Sequence, residues 1–353
     1  GDYGEAGYTH DAHAVVYNGP DTEHVGKSVV FGANANKMAI VDATDPTDMA
    51  SLSVSYYSAL SYTHQCWLTE DHRYLLLGDE LDEQNQGFNT RTLIWDVQEL
   101  GNPFLLGEQF SEVAAIDHNK YVVGNLLFQS NYRAGLRMLS LTDVAEGELS
   151  EIGYFDVDPA SDAALFSGTW SNYPYFESGI VVVTSDDGGI YLVRPRFMEV
   201  NTVSDSVCSG NDLVVAVDVL DGLLPPYALS IPDLPDGVVL NGFPATLEGP
   251  ASFAFSISGL DAIQGSLELR IRLESDLNTV EEPFAFTVST GTIWYPDTDG
   301  DGFGNGNAGV FSCDSPDDYV ANGLDCFDGS ATTYPGAPEC GDSLDNDCDE
   351  LME

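Results

Sequence analysis

The chain has 353 residues, more than one ordinary hydrophobic core organises, so two or three domains are expected. Its 58 acidic residues face only 11 Lys and Arg, a formal charge of -47, which argues against nucleic acid or anionic lipid as partner and favours divalent cations or a salty medium. Hydrophobic residues make up 43%, with 17 Tyr and 17 Phe, which excludes a wholly disordered chain. No apolar run is long enough to span a membrane, and no secretory signal is visible. The opening "GDYGEAGYTHD" reads like the interior of a longer protein, so further upstream sequence is expected.

Residues 1–196 carry an internal repeat. "YTHDAHAVVY", "YTHQCWLTEDHRY" and "AIDHNKYVV" begin three units, which set His10, His64 and His118 at intervals of 54 residues. A fourth start, "GTWSNYPYF", has Trp170 in that place. The units end in the apolar strands "KMAIVDATDP", "RTLIWDVQELGNP", "LRMLSLTDV" and "IYLVRPR". Helical periodicity is absent and turn signals separate the strands. Several strands per unit of roughly 45–54 residues is the pattern of β-propeller blades. Equivalent places in a ring converge on its axis, so His10, His64 and His118 could surround a metal or substrate at a channel mouth. The competing expectation, which repetition itself favours, is that each histidine packs its blade and bonds its neighbour. Asp11 and Asp117 stand next to two of them and could orient the rings.

Three further features lie in this region. Asp79, Glu80, Asp82 and Glu83 in "GDELDEQNQGFN" are expected to form a solvated acidic loop, with cation binding as the alternative. Asn131, Tyr132, Arg133 and Gly135 form a polar turn that could face a ligand at a propeller surface, with Arg133 expected to pair with a carboxylate. Cys66 lies two residues from His64, but such neighbours on a strand are not aligned for proton transfer, so it is expected to pack. No Gly-x-Ser-x-Gly elbow, P-loop or His-Glu-x-x-His is present.

The wording "YTHD", "THQCWLTEDHRYLLLGDELDEQNQGFNTRTLIWDV", "AAIDHNKYVVGNLLFQSNYRAGLR" and the "IVD-x-TDP" ending resembles the LVIVD-repeat propellers of the choice-of-anchor B family. That resemblance implies a bacterial secreted or surface protein with a propeller followed by C-terminal attachment modules, and further blades upstream. It implies no chemistry. Cys66 stands where that pattern has Gly, and the third unit ends in "MLSLTD".

Residues 197–291 alternate apolar and polar positions. In "GSLELRIRLES", Leu267, Leu269, Ile271 and Leu273 share one face, and Glu268, Arg270, Arg272 and Glu274 the other. With Pro and Gly turns this reads as a β-sandwich. It is similar to immunoglobulin-like modules of bacterial surface proteins, which implies a spacer.

Residues 292–353 are poor in large aliphatics and rich in Asp, Gly and Cys, so metal and disulfides must replace a core. In "DTDGDGFGN", Asp297, Asp299 and Asp301 take positions 1, 3 and 5 of a calcium loop and Gly302 its sharp turn. Phe303 could offer its carbonyl at position 7, and Asn305 sits at position 9. Position 12 is Ala308, so the remaining ligands must come from elsewhere: Asp325 and Asp328, or Asp345, Asp347 and Asp349. An oxygen-only donor set favours Ca²⁺ in a structural role. Cys313, Cys326, Cys340 and Cys348 crowd this segment, which favours an oxidising, extracytoplasmic location. Cys66 and Cys208 have no evident partners. The strings "WYPDTDGDGFGN", "CDSPDDYVANGLDCFD", "YPGAPEC" and "DNDCDE" resemble the MopE-type metal-binding repeat, and also the acidic repeats of thrombospondin type 3. That resemblance implies the pairs Cys313–Cys326 and Cys340–Cys348. Its name mentions copper, but the residues here offer hard oxygen donors.

The expectation is an all-β chain of three parts: propeller blades (1–196), sandwich (197–291) and Asp/Cys-rich repeat (292–353). The function expected is that of a secreted or cell-surface structural or adhesion protein, not an enzyme. It would contact cell-surface or matrix proteins, or copies of itself in a fibre or sheath. The alternatives are an extracellular metal-dependent hydrolase built on His10, His64 and His118, and a calcium-responsive surface-layer component.

Overall fold

The protein is described by a computed structural model over residues 4–220, 222–341 and 344–349. Four antiparallel sheets follow one another along the first region. The first is β1 (Asp11–Val16), β2 (Ser28–Ala33), β3 (Met38–Asp42) and β4 (Ala50–Ser55), paired in that order. The second is β5 (Thr63–Leu68), β6 (Tyr74–Asp79), β7 (Arg91–Asp96) and β8 (Phe104–Phe110), with the short helix α1 (Asp82–Gln86) between its middle strands. The third is β9 (Lys120–Val123), β10 (Leu126–Ser130), β11 (Leu136–Ser140) and β12 (Ser150–Phe155). The fourth has three strands, β13 (Thr169–Tyr173), β14 (Val181–Ser185) and β15 (Gly189–Val193). These are the blades of a partial propeller.

The middle strands of the second and third blades are apolar on both faces because each of these blades is covered twice. In "YLLLGD", Leu75 and Leu77 join a core with Phe31, Met38 and Ile40 of the first blade. Leu76 points the other way, into a core with Val122, Leu127 and Leu139 of the third. The period of two thus sends alternate residues of one strand into two different cores. Leu126 and Phe128 repeat the pattern, packing with Val181 and Val183 on the side away from Leu127. A bulge recurs where the outermost strand joins each four-stranded blade, at Ile40/Val41, Ile94/Trp95 and Met138/Leu139. It bends the half-exposed outer strand away from the flat core.

Side chains stitch the first strands together at positions one repeat apart. Leu68 N donates to His13 Nδ1 at 3.1 Å, and Asn18 N to His72 Nδ1 at 3.0 Å. Gln65 and Lys120 exchange two bonds of 2.9 and 3.0 Å between side chain and backbone. Cys66 is buried beneath this seam, its Sγ 3.4 Å from the Phe31 carbonyl, and burial pushes its thiol up to about 12, so it packs rather than reacts.

A sandwich follows. One sheet runs β16 (Met198–Thr202), β18 (Leu213–Val219), β22 (Ala251–Ser258), β20 (Val239–Asn241). The other runs β17 (Ser206–Cys208), β24 (Thr279–Ser289), β23 (Gly265–Glu274), β19 (Tyr227–Ser230), β21 (Thr246–Leu247). Leu269, Ile271 and Leu273 are buried between the sheets. The sandwich core is continuous with that of the third and fourth blades, and Asn278 fastens the contact by accepting from Asn125 N at 3.2 Å. A cleft of about 780 Å³ between them is lined by Phe128, Tyr175, Phe176, Arg194, Arg270 and Leu277 among others.

The last region has only three short strands, β25 (Thr292–Pro296), β26 (Val310–Ser312) and β27 (Tyr319–Val320). Among its described residues the buried ones are Gly304, Thr333, Ala337 and Asn346, so it has no apolar core. Among the described residues of the whole chain, no helix is long and apolar enough to cross a membrane.

The cysteines pair differently from the expectation. Cys313 bonds Cys208 and Cys326 bonds Cys348, while Cys340 is an exposed free thiol. Cys208 ends a strand that runs parallel to β24, and this brings it beside the start of the last region. Cys208–Cys313 therefore ties that region to the sandwich across 105 residues; closing so long a loop removes about 4.7 kcal/mol of unfolded-chain freedom in the chain-entropy model. Thiol titration of the folded protein should label Cys340 alone, and denaturation without reductant should add Cys66. Labelling of Cys208 or Cys348 under either condition would contradict the pairing.

Candidate functional site

The aspartates of the "DTDGDGFGN" loop spend carboxylate oxygens on their own turn, Asp297 both of its oxygens and Asp299 and Asp301 one each. Asp297 Oδ1 accepts from Gly300 N at 2.8 Å and Asp301 N at 3.1 Å, and its Oδ2 from Gly302 N at 3.0 Å. Asp299 Oδ1 accepts from Asp301 N, and Asp301 Oδ1 from Phe303 N. Gly300 and Gly302 have φ of 79° and 92°, the left-handed backbone that this winding requires. Asp325 is brought in by a parallel bridge to Asn305, and its Oδ1 holds Phe327 N at 2.7 Å.

The second oxygens of Asp299, Asp301 and Asp325 are all buried without a hydrogen-bond partner, as is Asn322 Oδ1. Carboxylate oxygens of these three aspartates lie within 4.8 Å of one another, and Asp297, Asp299 and Asp328 form an overlapping group. Asp328 is fixed from outside by Thr298, whose N donates to it at 2.7 Å and whose hydroxyl donates at 2.9 Å. Burial first, then mutual repulsion, pushes Asp301 and Asp325 above the usual carboxylate range. No Lys or Arg follows Arg272 in the chain, so no side-chain cation of this region offsets them. Convergent, orphaned oxygens of this kind fit a hard divalent cation.

Phe303 and Asn305 stay in the loop, while the later aspartates form a group of their own. Phe303 stacks on Tyr334 at 5.4 Å, and Asn305 Oδ1 holds Asn307 N. Asp345 and Asp347 gather with Glu339, which the spacing pattern did not single out, in a separate group. Asp349 N donates to Asp345 and Asp347, closing that turn.

Residues 325–353 match the family model described as "Putative metal-binding motif". The match holds Asp325, Asp328 and the second acidic group; the loop Asp297–Asn305 lies upstream of it. No curated protein matches the chain. Among solved structures, a protein from Lactobacillus plantarum is similar at 14% identity and a TM-score of 0.36. The likeness covers 55% of this chain and 64% of that one, and is too loose to bear on function.

The propeller histidines form a continuous row. Ring centroids of His10, His64, His118 and Trp170 follow at 4.5, 4.4 and 4.6 Å. His10 Nδ1 lies 3.1 Å from the His64 carbonyl, and His118 Nδ1 bonds the Trp170 carbonyl. A second row, His13, Trp67, Tyr121 and Tyr175, runs beside it at 3.9, 4.9 and 6.3 Å. Burial, then the flanking imidazoles, takes His64 down to about 2, and burial lowers His118 to about 4. Both are neutral at ordinary pH. Glu80 stands across from them, 3.7 Å from His64 Nε2 and 3.6 Å from His118 Nε2. Tyr132 donates its hydroxyl to Glu80 Oε1 at 3.0 Å.

The acidic run 79–83 is not a solvated loop. α1 turns it inward and ends at Gly87 in the left-handed conformation, burying Asp79, Asp82 and Glu83 beside Asp117. Asp117 pairs with Lys120 instead of orienting a histidine, and Asp11 is exposed. Arg91 Nε donates to Asp82 at 2.6 Å and its Nη2 lies 3.6 Å from Asp79. Four carboxylates therefore share two cations in the interior, and burial together with Asp117 pushes Glu83 up to about 10, keeping it protonated. The signal in the sequence was the rare cation inside an apolar strand: "RTLIWD" and "KYVV" each begin with one. Arg133, by contrast, meets a carboxylate as expected, that of Asp158 at 3.6 Å. Because removing one partner strands the other charges, Arg91→Met should destabilise the protein by roughly 3–5 kcal/mol. A denaturant midpoint equal to that of the unaltered protein would refute this placement of Arg91.

Proposed function

We propose that this is an extracellular, cell-surface structural or adhesion protein whose C-terminal segment is folded by calcium. The observation that carries the reading is the set of three buried, unpartnered carboxylate oxygens on Asp299, Asp301 and Asp325, in a segment without a core or a cation. Calcium suits it best because every donor is a hard oxygen and the carboxylates come from two separate turns. Asp325 and Asp328 supply what position 12 of the loop lacks.

Two disulfides support an oxidising compartment. The repeat wording supports an LVIVD-type propeller as the interaction surface. The sandwich acts as an immunoglobulin-like spacer. In support, its leading segment divides between both sheets, with β17 lying parallel to the last strand. The half-exposed outer strands of the blades offer edges through which copies could pair into a fibre.

Thermal melts with and without chelator test the calcium. Added EDTA should lower the unfolding temperature of the segment 292–349, and Asp299→Asn with Asp325→Asn should abolish the calcium-dependent difference. Identical melts, together with no metal found by elemental analysis, would remove the claim.

A further inference from the structure

We propose that His64 Nε2, His118 Nε2 and the carboxylate of Glu80 form a second metal site, for a divalent transition-metal ion of the zinc class, between the second and third blades. It is independent of the calcium reading of the C-terminal segment.

The argument begins with the tautomer of His118. Its Nδ1 bonds a backbone carbonyl, that of Trp170, which can only accept, so Nδ1 carries the hydrogen. In the neutral ring Nε2 is then a bare lone pair, and it faces Glu80 Oε1 at 3.6 Å. Two acceptors set against each other repel unless a cation lies between them. A proton on Nε2 would give an ion pair with Glu80 but no hydrogen bond, because 3.6 Å is beyond hydrogen-bond reach, whereas a metal ion engages both lone pairs directly. His64 Nε2 lies 3.7 Å from Glu80 Oε2, and since His64 Nδ1 is buried without a hydrogen-bond partner, no bond there prevents Nε2 from serving as the ligand atom. Two ligands bound tetrahedrally at about 2.0–2.2 Å to one ion lie roughly 3.3–3.6 Å apart, close to both spacings.

The surroundings are those of a built site. The Nδ1 bond from His118 to a carbonyl is the outer contact by which a ligating imidazole is usually oriented. Tyr132 fixes Glu80 from the opposite side, and Glu80 N donates to the Tyr62 carbonyl at 3.1 Å. The rings of His64 and His118 lie 4.4 Å apart, centroid to centroid, tilted by 39°. His64 and His118 are 3% exposed, whereas the Glu80 side chain keeps 13%, so an ion has a way in. Two imidazoles and a carboxylate are a zinc-type donor set, softer than the all-oxygen groups of the C-terminal segment. His10 is not among the converging donors. The ion would join strand β5, the loop after β6 and the entry to β9.

Cobalt(II) tests this, because four-coordinate nitrogen and oxygen ligation gives it an intense visible absorption that carboxylate clusters do not. The full chain, freed of metal and then held in excess calcium, should develop that band on titration with Co²⁺. Zn²⁺ should displace it and further calcium should not. Glu80→Gln and His64→Asn should each weaken Co²⁺ binding by at least about 100-fold, since even an outer-shell partner is worth 10–100-fold. His10→Asn and Asp325→Asn should leave the band in place. Glu80→Gln changes a partly exposed group isosterically, so it remains a test if His64→Asn fails to fold. Absence of the band, its persistence in Glu80→Gln, or its loss in Asp325→Asn would overturn the site.

Discussion

Eleven cations serve 58 carboxylates, and their placement decides what each region needs to fold. The propeller draws Arg91 and Lys120 into its interior, where they meet Asp82 and Asp117, and covers Arg137 with the exposed Glu151. The sandwich keeps Arg270 and Arg272 on its surface, bridging Glu268, Glu274 and Glu281. Beyond Arg272 there are none. There the aspartates saturate what they can with backbone N–H groups, and the oxygens left over converge. A region with neither apolar core nor internal cation has only disulfides and bound metal to offset its chain entropy. Cys208–Cys313 and Cys326–Cys348 supply the first of these.

The propeller answers a different demand. Each blade must register with the next, and it does so through position-matched bonds one repeat apart. The row His10, His64, His118 is the most regular of these contacts. Regularity has a consequence at its centre: the His64 ring is tilted by 40° and 39° to its two neighbours, and the Nε2 atoms of His64 and His118 both face Glu80. Where Glu80 reaches them, a repeated packing device becomes a convergent donor set. One residue can thus serve as blade spacer and ligand together.

The blade repeat was legible because the interval of the histidines and the apolar strands between turns are local features of the chain. The sandwich was legible from strict alternation in β23. The aspartate loop was legible from its spacing, including its dependence on acids from a later turn. Disulfide connectivity was not, because it depends on which strand ends meet in space, and Cys208 reaches Cys313 only through the parallel pairing of β17 with β24. The burial of Asp79, Asp82 and Glu83 was not legible either: polar residues read as surface unless their partners are known, and Arg91 and Lys120 come from other strands. Glu80 was named only with the acidic run, because the histidines it faces lie far along the chain, and Glu339 was missed although Asp345 and Asp347 follow it closely, because it falls outside their alternating spacing.

The central claim is that a bound cation, and not side-chain packing, folds the C-terminal segment. Amide hydrogen exchange followed residue by residue, with calcium and after chelation, tests it most directly. The account predicts that the amides of Gly300, Asp301, Gly302 and Phe303, and those around Asp325, are protected with calcium and lose protection on chelation. The strands of the blades and the sandwich should exchange alike in both conditions. Equal protection of the segment with and without calcium would contradict it.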